Sequence, residues 1–245
     1  MHREYHKWFS SRLNRHMELL VFGHSGARVT VFPTRQGRFY DYENFGLVGS
    51  LRDRIEAGAM QLFCVDSADS ETLYCRDRAP RDRIIRHNAY ESYILEEVIP
   101  FTLQKNSHSR LVAHGCSIGA YHSINIAFRH PNIFREVVAL SGRYDLTKPV
   151  GVFDDLFDGY YDEDVYFHTP NHFIPNLSDE NLLGHLRRMR IRLAVGFEDP
   201  FYESNAALSR ALDNKQVPHE FYTWDGEAHR AGAWRRMVRF YLAPE

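Results

Sequence analysis

Apolar residues recur along this chain at two spacings, and the switch from one to the other marks out strands and helices. Residues 4–10, 16–22 and 28–32 read as strands. The second and third are separated by Gly23-His24-Ser25-Gly26-Ala27, a glycine-bounded loop that suits a hairpin. Residues 42–57 then carry a helical spacing, 61–65 read as a buried strand, and 81–105 as a long helix that Pro100 is expected to kink or end early. Two more short apolar runs, 110–114 and 136–141, flank a helix over 120–130. The last third alternates again, with strands at 191–195 and 219–224 and helices at 203–215 and 231–242. Near-continuous apolar strands alternating with helices predict a mostly parallel sheet covered on both faces, with an antiparallel hairpin at one N-terminal edge. That is an α/β fold, a three-layer α/β/α sandwich.

One stretch breaks the alternation. Residues 142–182 are rich in aromatic and acidic side chains, including Phe153-Asp154-Asp155-Leu156-Phe157-Asp158. So long an insertion between core strands is expected to be a lid or binding loop, and the alternative is a solvated acidic surface. No repeat, low-complexity tract or linker divides the 245 residues, so a single domain is expected over 1–245.

Composition changes this picture only by exclusion. A formal net charge of -2 gives the molecule no strong field toward nucleic acid or an anionic membrane. No segment approaches the roughly 20 apolar residues that span a bilayer. Three cysteines, Cys64, Cys75 and Cys116, cannot all pair with one another, which suits a reducing compartment and a cytoplasmic location.

Chemistry concentrates at Gly115-Cys116-Ser117-Ile118-Gly119, which lies between the strand at 110–114 and the helix at 120–130. A serine at the centre of Gly-x-Ser-x-Gly in that setting occupies a nucleophile elbow, a sharp turn whose small neighbours let helix and strand approach closely. Its hydroxyl needs a base, and the base needs a third group to fix its tautomer. In open parallel sheets such groups stand on loops beyond the carboxyl ends of strands. After the strand at 191–195 come Glu198 and Asp199, of which Asp199 is favoured; after the strand at 219–224 comes His229, with Asp225 a more distant acid. The order Ser117, acid, His229 is that of an α/β-hydrolase triad.

An oxyanion hole needs backbone N–H donors, and Ile118 supplies the first by its place after the nucleophile. The second is expected from the loop after residues 28–32; Pro33 has no N–H, which leaves Arg35 or Gln36. Cys116, one residue before the apex, is read as core packing. His168 and His172 have the spacing of a helical metal pair, but Pro170 between them disfavours that helix, so no metal site and no cofactor are expected.

These segments together resemble the putative esterase family of α/β-hydrolases, the group that includes S-formylglutathione hydrolases, feruloyl esterases and the antigen 85 mycolyltransferases. The likeness runs over about residues 15–240. It is carried by Gly115 to Tyr121 with Phe128-Arg129-His130-Pro131, by Val195-Gly196-Phe197-Glu198-Asp199-Pro200, and by Trp224-Asp225-Gly226-Glu227-Ala228-His229. The resemblance implies Ser117 as nucleophile, Asp199 as acid and His229 as base, in agreement with the residue-level reading. Two positions depart from the family pattern: Ala120 stands where a second glycine is common, and Arg230-Ala231-Gly232-Ala233 follows His229 where Asp and an aromatic residue are usual.

The expected function is that of a serine carboxylic-ester hydrolase working on a small-molecule ester through an acyl-enzyme. An acyltransferase with the same intermediate and a catalytically silent binding protein are the alternatives. No nucleic-acid or membrane partner is expected, and assembly into a homo-oligomer is left open.

Overall fold

The computed structural model describes residues 1–242. Eight strands form one sheet: β1 (Arg3–Ser10), β2 (Arg15–Phe22), β3 (Ala27–Phe32), β4 (Met60–Val65), β5 (Leu111–Cys116), β6 (Glu136–Leu140), β7 (Arg190–Gly196) and β8 (Glu220–Trp224). Their order across the sheet is β1-β2-β4-β3-β5-β6-β7-β8. β1, β2 and β4 pair antiparallel, and every pair from β4 to β8 is parallel. The chain has the expected α/β architecture with an antiparallel N-terminal edge.

The hairpin itself lies one loop earlier than the glycines suggest. It joins β1 to β2 through residues 11–14, with Arg3 opposite Phe22 and Ser10 opposite Arg15. The loop at 23–26 carries the chain past the place that β4 later fills, so β2 and β3 never pair. Its glycines serve other needs. Gly23 (φ 93°) and Gly26 (φ 83°) take backbone conformations that side chains disfavour, and a Cβ on Gly23 would come within 2.9 Å of the Met60 carbonyl. Asn14, a residue type that tolerates the left-handed region, turns the true hairpin at φ 49°.

Alternate residues of each central strand point to opposite faces, and each face carries its own core. Phe63, Ala113, Val137 and Leu193 pack on one side with Ile124 and Leu208. These last two stand on the helices α6 (Ile118–Arg129) and α10 (Tyr202–Asn214). Leu62, Val112, Val138 and Ala194 pack on the other side with Val48, Ile55 and Trp234.

The helix expected over 42–57 is three short ones, α1 (Asp41–Asn44), α2 (Leu47–Ser50) and α3 (Arg52–Glu56). Gly46, left-handed at φ 76°, separates the first two. The long helix over 81–105 does not stop at its proline. It runs as α4 (Pro80–Tyr93), a single π-turn (Ile94–Val98) and α5 (Ile99–Lys105). The π-turn loosens the hydrogen-bond ladder just where Pro100 offers no N–H and crowds the preceding turn. The remaining helices are α7 (Glu163–Phe167), α8 (Pro170–Asn176), α9 (Glu180–Leu186) and α11 (Ala231–Tyr241). Among the described residues no helix is long and apolar enough to cross a membrane.

Several histidines are sealed inside this sandwich. His114 on β5 donates Nδ1–H to the Val138 carbonyl at 2.7 Å and accepts the Tyr42 hydroxyl at Nε2, 2.9 Å away. Burial pushes its pKa down to about 4, and that of His87 down to about 3. His168 is likewise shifted well below its usual value, first by burial. An unfolded chain protonates all three near pH 6.5, so below that pH it binds more protons than the folded state, and stability falls as pH falls. Each such histidine contributes about 1.4 kcal/mol per pH unit between its unfolded and folded pKa values. Urea unfolding at pH 7 and pH 5 is expected to show this loss, and His114→Gln should flatten the slope by about one proton. A pH-independent midpoint over that range would contradict it.

Candidate active site

Ser117 stands between β5 and α6 at φ 58° and ψ -123°, a conformation that costs energy for any residue with a side chain. Packing holds it there. The backbone of Gly119 occupies the space a Cβ on Gly115 would need, and a Cβ on Gly119 would collide with the carbonyls of Phe32 and Pro33. The two glycines of the pentapeptide therefore allow α6 to sit directly against β5 and the end of β3. Neighbouring β6 receives the Ser117 N–H at the Leu140 carbonyl, 2.9 Å away.

Two further loops meet at this edge. Phe197 N–H donates to the Trp224 carbonyl at 2.7 Å and Glu198 N–H to the Gly226 carbonyl at 3.0 Å, stitching the loop after β7 to the loop after β8. Gly196 lies where a Cβ would overlap the Glu227 carbonyl. This seam places Asp199 Oδ2 3.0 Å from His229 Nδ1, and His229 Nε2 3.1 Å from Ser117 Oγ. A carboxylate only accepts, so Nδ1 carries the imidazole proton and Nε2 is free to accept from the serine hydroxyl. The other Asp199 oxygen accepts the Phe201 N–H at 2.9 Å. The imidazole sits between two aromatic edges, with ring centroids 5.5 Å away for Phe201 and 5.3 Å for Trp234. Asp199 is 4% exposed, whereas Glu198 and Asp225 point into solvent. Arg230 is exposed beside His229.

Ile118 opens α6, so its N–H has no partner within the helix. The two oxyanion candidates after β3 are in different states. Gln36, at φ 51°, donates its N–H to Asp69 Oδ2 at 2.9 Å and is thereby engaged. The amides of Arg35 and of its neighbour Thr34 donate to no protein acceptor among the described residues.

Asp69 was not among the sequence candidates. It is 1% exposed, and its second oxygen accepts from His122 Nε2 at 3.1 Å. His122 lies on α6, the helix that Ser117 begins. A signal for it exists: Asp69 stands four residues after β4, beyond the carboxyl end of a parallel strand, where site loops gather.

The remaining sequence candidates lie apart from this chemistry. Cys116 is buried, and burial pushes its thiol pKa up, away from a thiolate. His168 caps α7, where it donates to Asn88 Oδ1 and accepts from Asn125, while His172 on α8 faces Asp145 and Tyr161. The two imidazoles do not converge.

Comparison with known proteins adds a family and a set of folds. The profile of the family described as putative esterase matches residues 84–237, more than half of the chain. No curated protein sequence matches it. Among solved structures, a ferulic acid esterase superposes with a TM-score of 0.78 at 17% identity, covering 99% of this chain and 96% of its own. An S-formylglutathione hydrolase from Agrobacterium tumefaciens gives 0.77 at 15% identity, covering 98% and 92%. A fluorophosphonate-binding serine hydrolase of Staphylococcus aureus gives 0.73 at 16%, covering 99% and 98%. At such identities these likenesses speak for the fold.

Proposed function

The chain belongs to the putative esterase family, and from that premise we propose that it is a serine hydrolase that cleaves a carboxylic ester through an acyl-enzyme. Ser117 Oγ attacks the ester carbonyl while His229 Nε2 takes its proton and passes it to the leaving alcohol. Asp199 holds the imidazole in the required tautomer and stabilises its charged form. The Ile118 N–H and that of Arg35 receive the developing oxyanion, each such donor being worth about 100- to 1000-fold in rate. Water, activated by His229 in turn, releases the acid and restores Ser117. The observation that carries this reading is the pair of hydrogen bonds running from Asp199 through His229 to Ser117.

The surroundings support it. Asp69 bonds both the Gln36 amide and His122, and so fixes the loop that bears Arg35 to the helix that bears Ile118. A small pocket between Pro33, Thr34, Phe45 and Trp234 reaches Cys116, the residue before the serine. Residues 142–182 belong, in this reading, to a single α/β-hydrolase domain and cover its site as a lid.

A fluorophosphonate tests the proposal directly. Intact-mass measurement is expected to show one covalent adduct per chain, and peptide mapping should place it on Ser117. Folded protein that gains no adduct, or one elsewhere, would sink the reading.

A further inference from the structure

Three residues beyond the end of β6 stands Arg143, which is 4% exposed. Its Nε donates to the Asp145 carbonyl at 3.2 Å, and its Nη2 to the carbonyls of Lys148 at 2.6 Å and Asp154 at 2.7 Å. These acceptors are neutral. Three carboxylates, Asp145, Asp155 and Asp154, act on its charge from nearby but none hydrogen-bonds it: Asp145 meets His172 and Lys148, Asp154 meets Arg76, and Asp155 accepts the amides of Phe157 and Gly159. Nη1 has no hydrogen-bond partner among the described residues, and it is not one of the polar atoms sealed from solvent. A guanidinium stays charged at any working pH, and Nη1 keeps a donor free for an anion that reaches it.

Its position says where an answering group would lie. The guanidinium is 5.9 Å from the centre of the Phe201 ring, which in turn touches His229. Near it too is Tyr74, packed against the cluster that contains Ile118. Arg143 and Arg35 both act electrostatically on the Tyr74 hydroxyl, and the Arg35 guanidinium stands 5.1 Å from the centre of that ring. Among the described residues Arg35 is in no ion pair, and its guanidinium meets the Tyr74 ring. Two cations thus stand near Tyr74, Arg35 on the loop after β3 and Arg143 beside the Phe201 ring that touches His229.

We propose that Arg143, with Arg35 across the Tyr74 ring, binds a carboxylate carried by the substrate, so that the preferred substrate is an anionic ester. This rests on Ser117 being the nucleophile of a serine hydrolase. A planar guanidinium already fixed by three carbonyls meets a carboxylate with little loss of side-chain freedom. A site built for a polar group also discriminates strongly against an analogue lacking it, because its own polar atoms are then left unanswered.

The test compares charged and neutral esters of matched shape. Acyl-side charge is read with monophenyl adipate against phenyl methyl adipate, and alcohol-side charge with 4-acetoxybenzoate against its methyl ester. The ratio of kcat/KM, anionic over neutral, is expected to exceed about 10 for at least one pair, in keeping with a hydrogen bond to a charged group. It should fall by about 10- to 100-fold in Arg143→Gln and by a smaller factor in Arg35→Gln. Arg35 is on the surface, so its variant remains informative even if Arg143→Gln does not fold. Neutral esters cleaved as well as both anionic ones, or a preference that neither variant moves, would overturn the proposal while leaving the serine hydrolase intact. If no ester is cleaved, the hydrolase reading fails instead, and the anion site is judged by titrating Ser117→Ala with adipate in a calorimeter. Binding that Arg143→Gln or Arg35→Gln weakens upholds the site, and no binding overturns it.

Discussion

Ser117→Ala is expected to lower kcat for a short-chain aryl ester by about 10,000- to 1,000,000-fold, the range seen when a triad nucleophile is removed. In barrier terms this is about 5–8 kcal/mol. The fold should survive, because the glycines on either side, and not the hydroxyl, make room for the elbow. Alanine meets the same backbone strain at φ 58° that serine already bears. Among the described residues the Ser117 hydroxyl bonds His229 and nothing structural. A thermal melt of both proteins beside the rate assay checks the separation of effects. Retention of more than about 1% of the activity, when the removed group should cost far more, would mean that another residue attacks the ester.

The second large effect belongs to Asp199→Asn, and its cause can be followed atom by atom. In the native site each carboxylate oxygen accepts one hydrogen bond, from Phe201 N–H and from His229 Nδ1–H. Asparagine has one oxygen and one NH2 group to offer these two donors. The Phe201 amide cannot give up its hydrogen, so it claims the oxygen, and the NH2 turns toward His229. Nδ1 must then accept, which moves the imidazole proton to Nε2 and aims it at Ser117 Oγ. In that tautomer the histidine cannot take the serine's proton, and kcat should fall about 10,000-fold. Glu198→Gln is the matched control: Glu198 points into solvent, and its loss should change the rate by no more than about threefold. Equal damage from the two variants, measured on one ester, would reassign the acid.

Most of the sheet was legible because its inner strands are apolar on both faces and short enough to exclude a helix. What escaped depended on partners distant in sequence. Gly23 and Gly26 suggested a hairpin because local glycine spacing cannot reveal that β4, some 35 residues later, enters between β2 and β3. Pro100 suggested a break because its cost is local, whereas the π-turn that accommodates it lies in the preceding turn. At the site, Ser117, Asp199 and His229 could be named from order and from their places after strands, and the structure brings those three side chains within hydrogen-bonding distance. Arg35 and Gln36 could not be separated in the sequence, since what distinguishes them is the Asp69 carboxylate that engages the Gln36 amide. Asp69 had only its place after β4 to mark it, while His122 and Arg143 are single polar residues without a motif, visible only once tertiary packing buries them.

The Asp69 bridge has a mechanical consequence. One buried carboxylate ties the turn after β3 to the first turns of α6, and Gly119 presses the same helix onto the carbonyls of Phe32 and Pro33. Loop and helix are therefore parts of one rigid block. Thermal displacement of Ser117 carries the neighbouring turn along with it, so the distance between serine and turn is insulated from motions of the surrounding loops. Heating such an assembly should not erode its alignment gradually; alignment persists until the block itself comes apart.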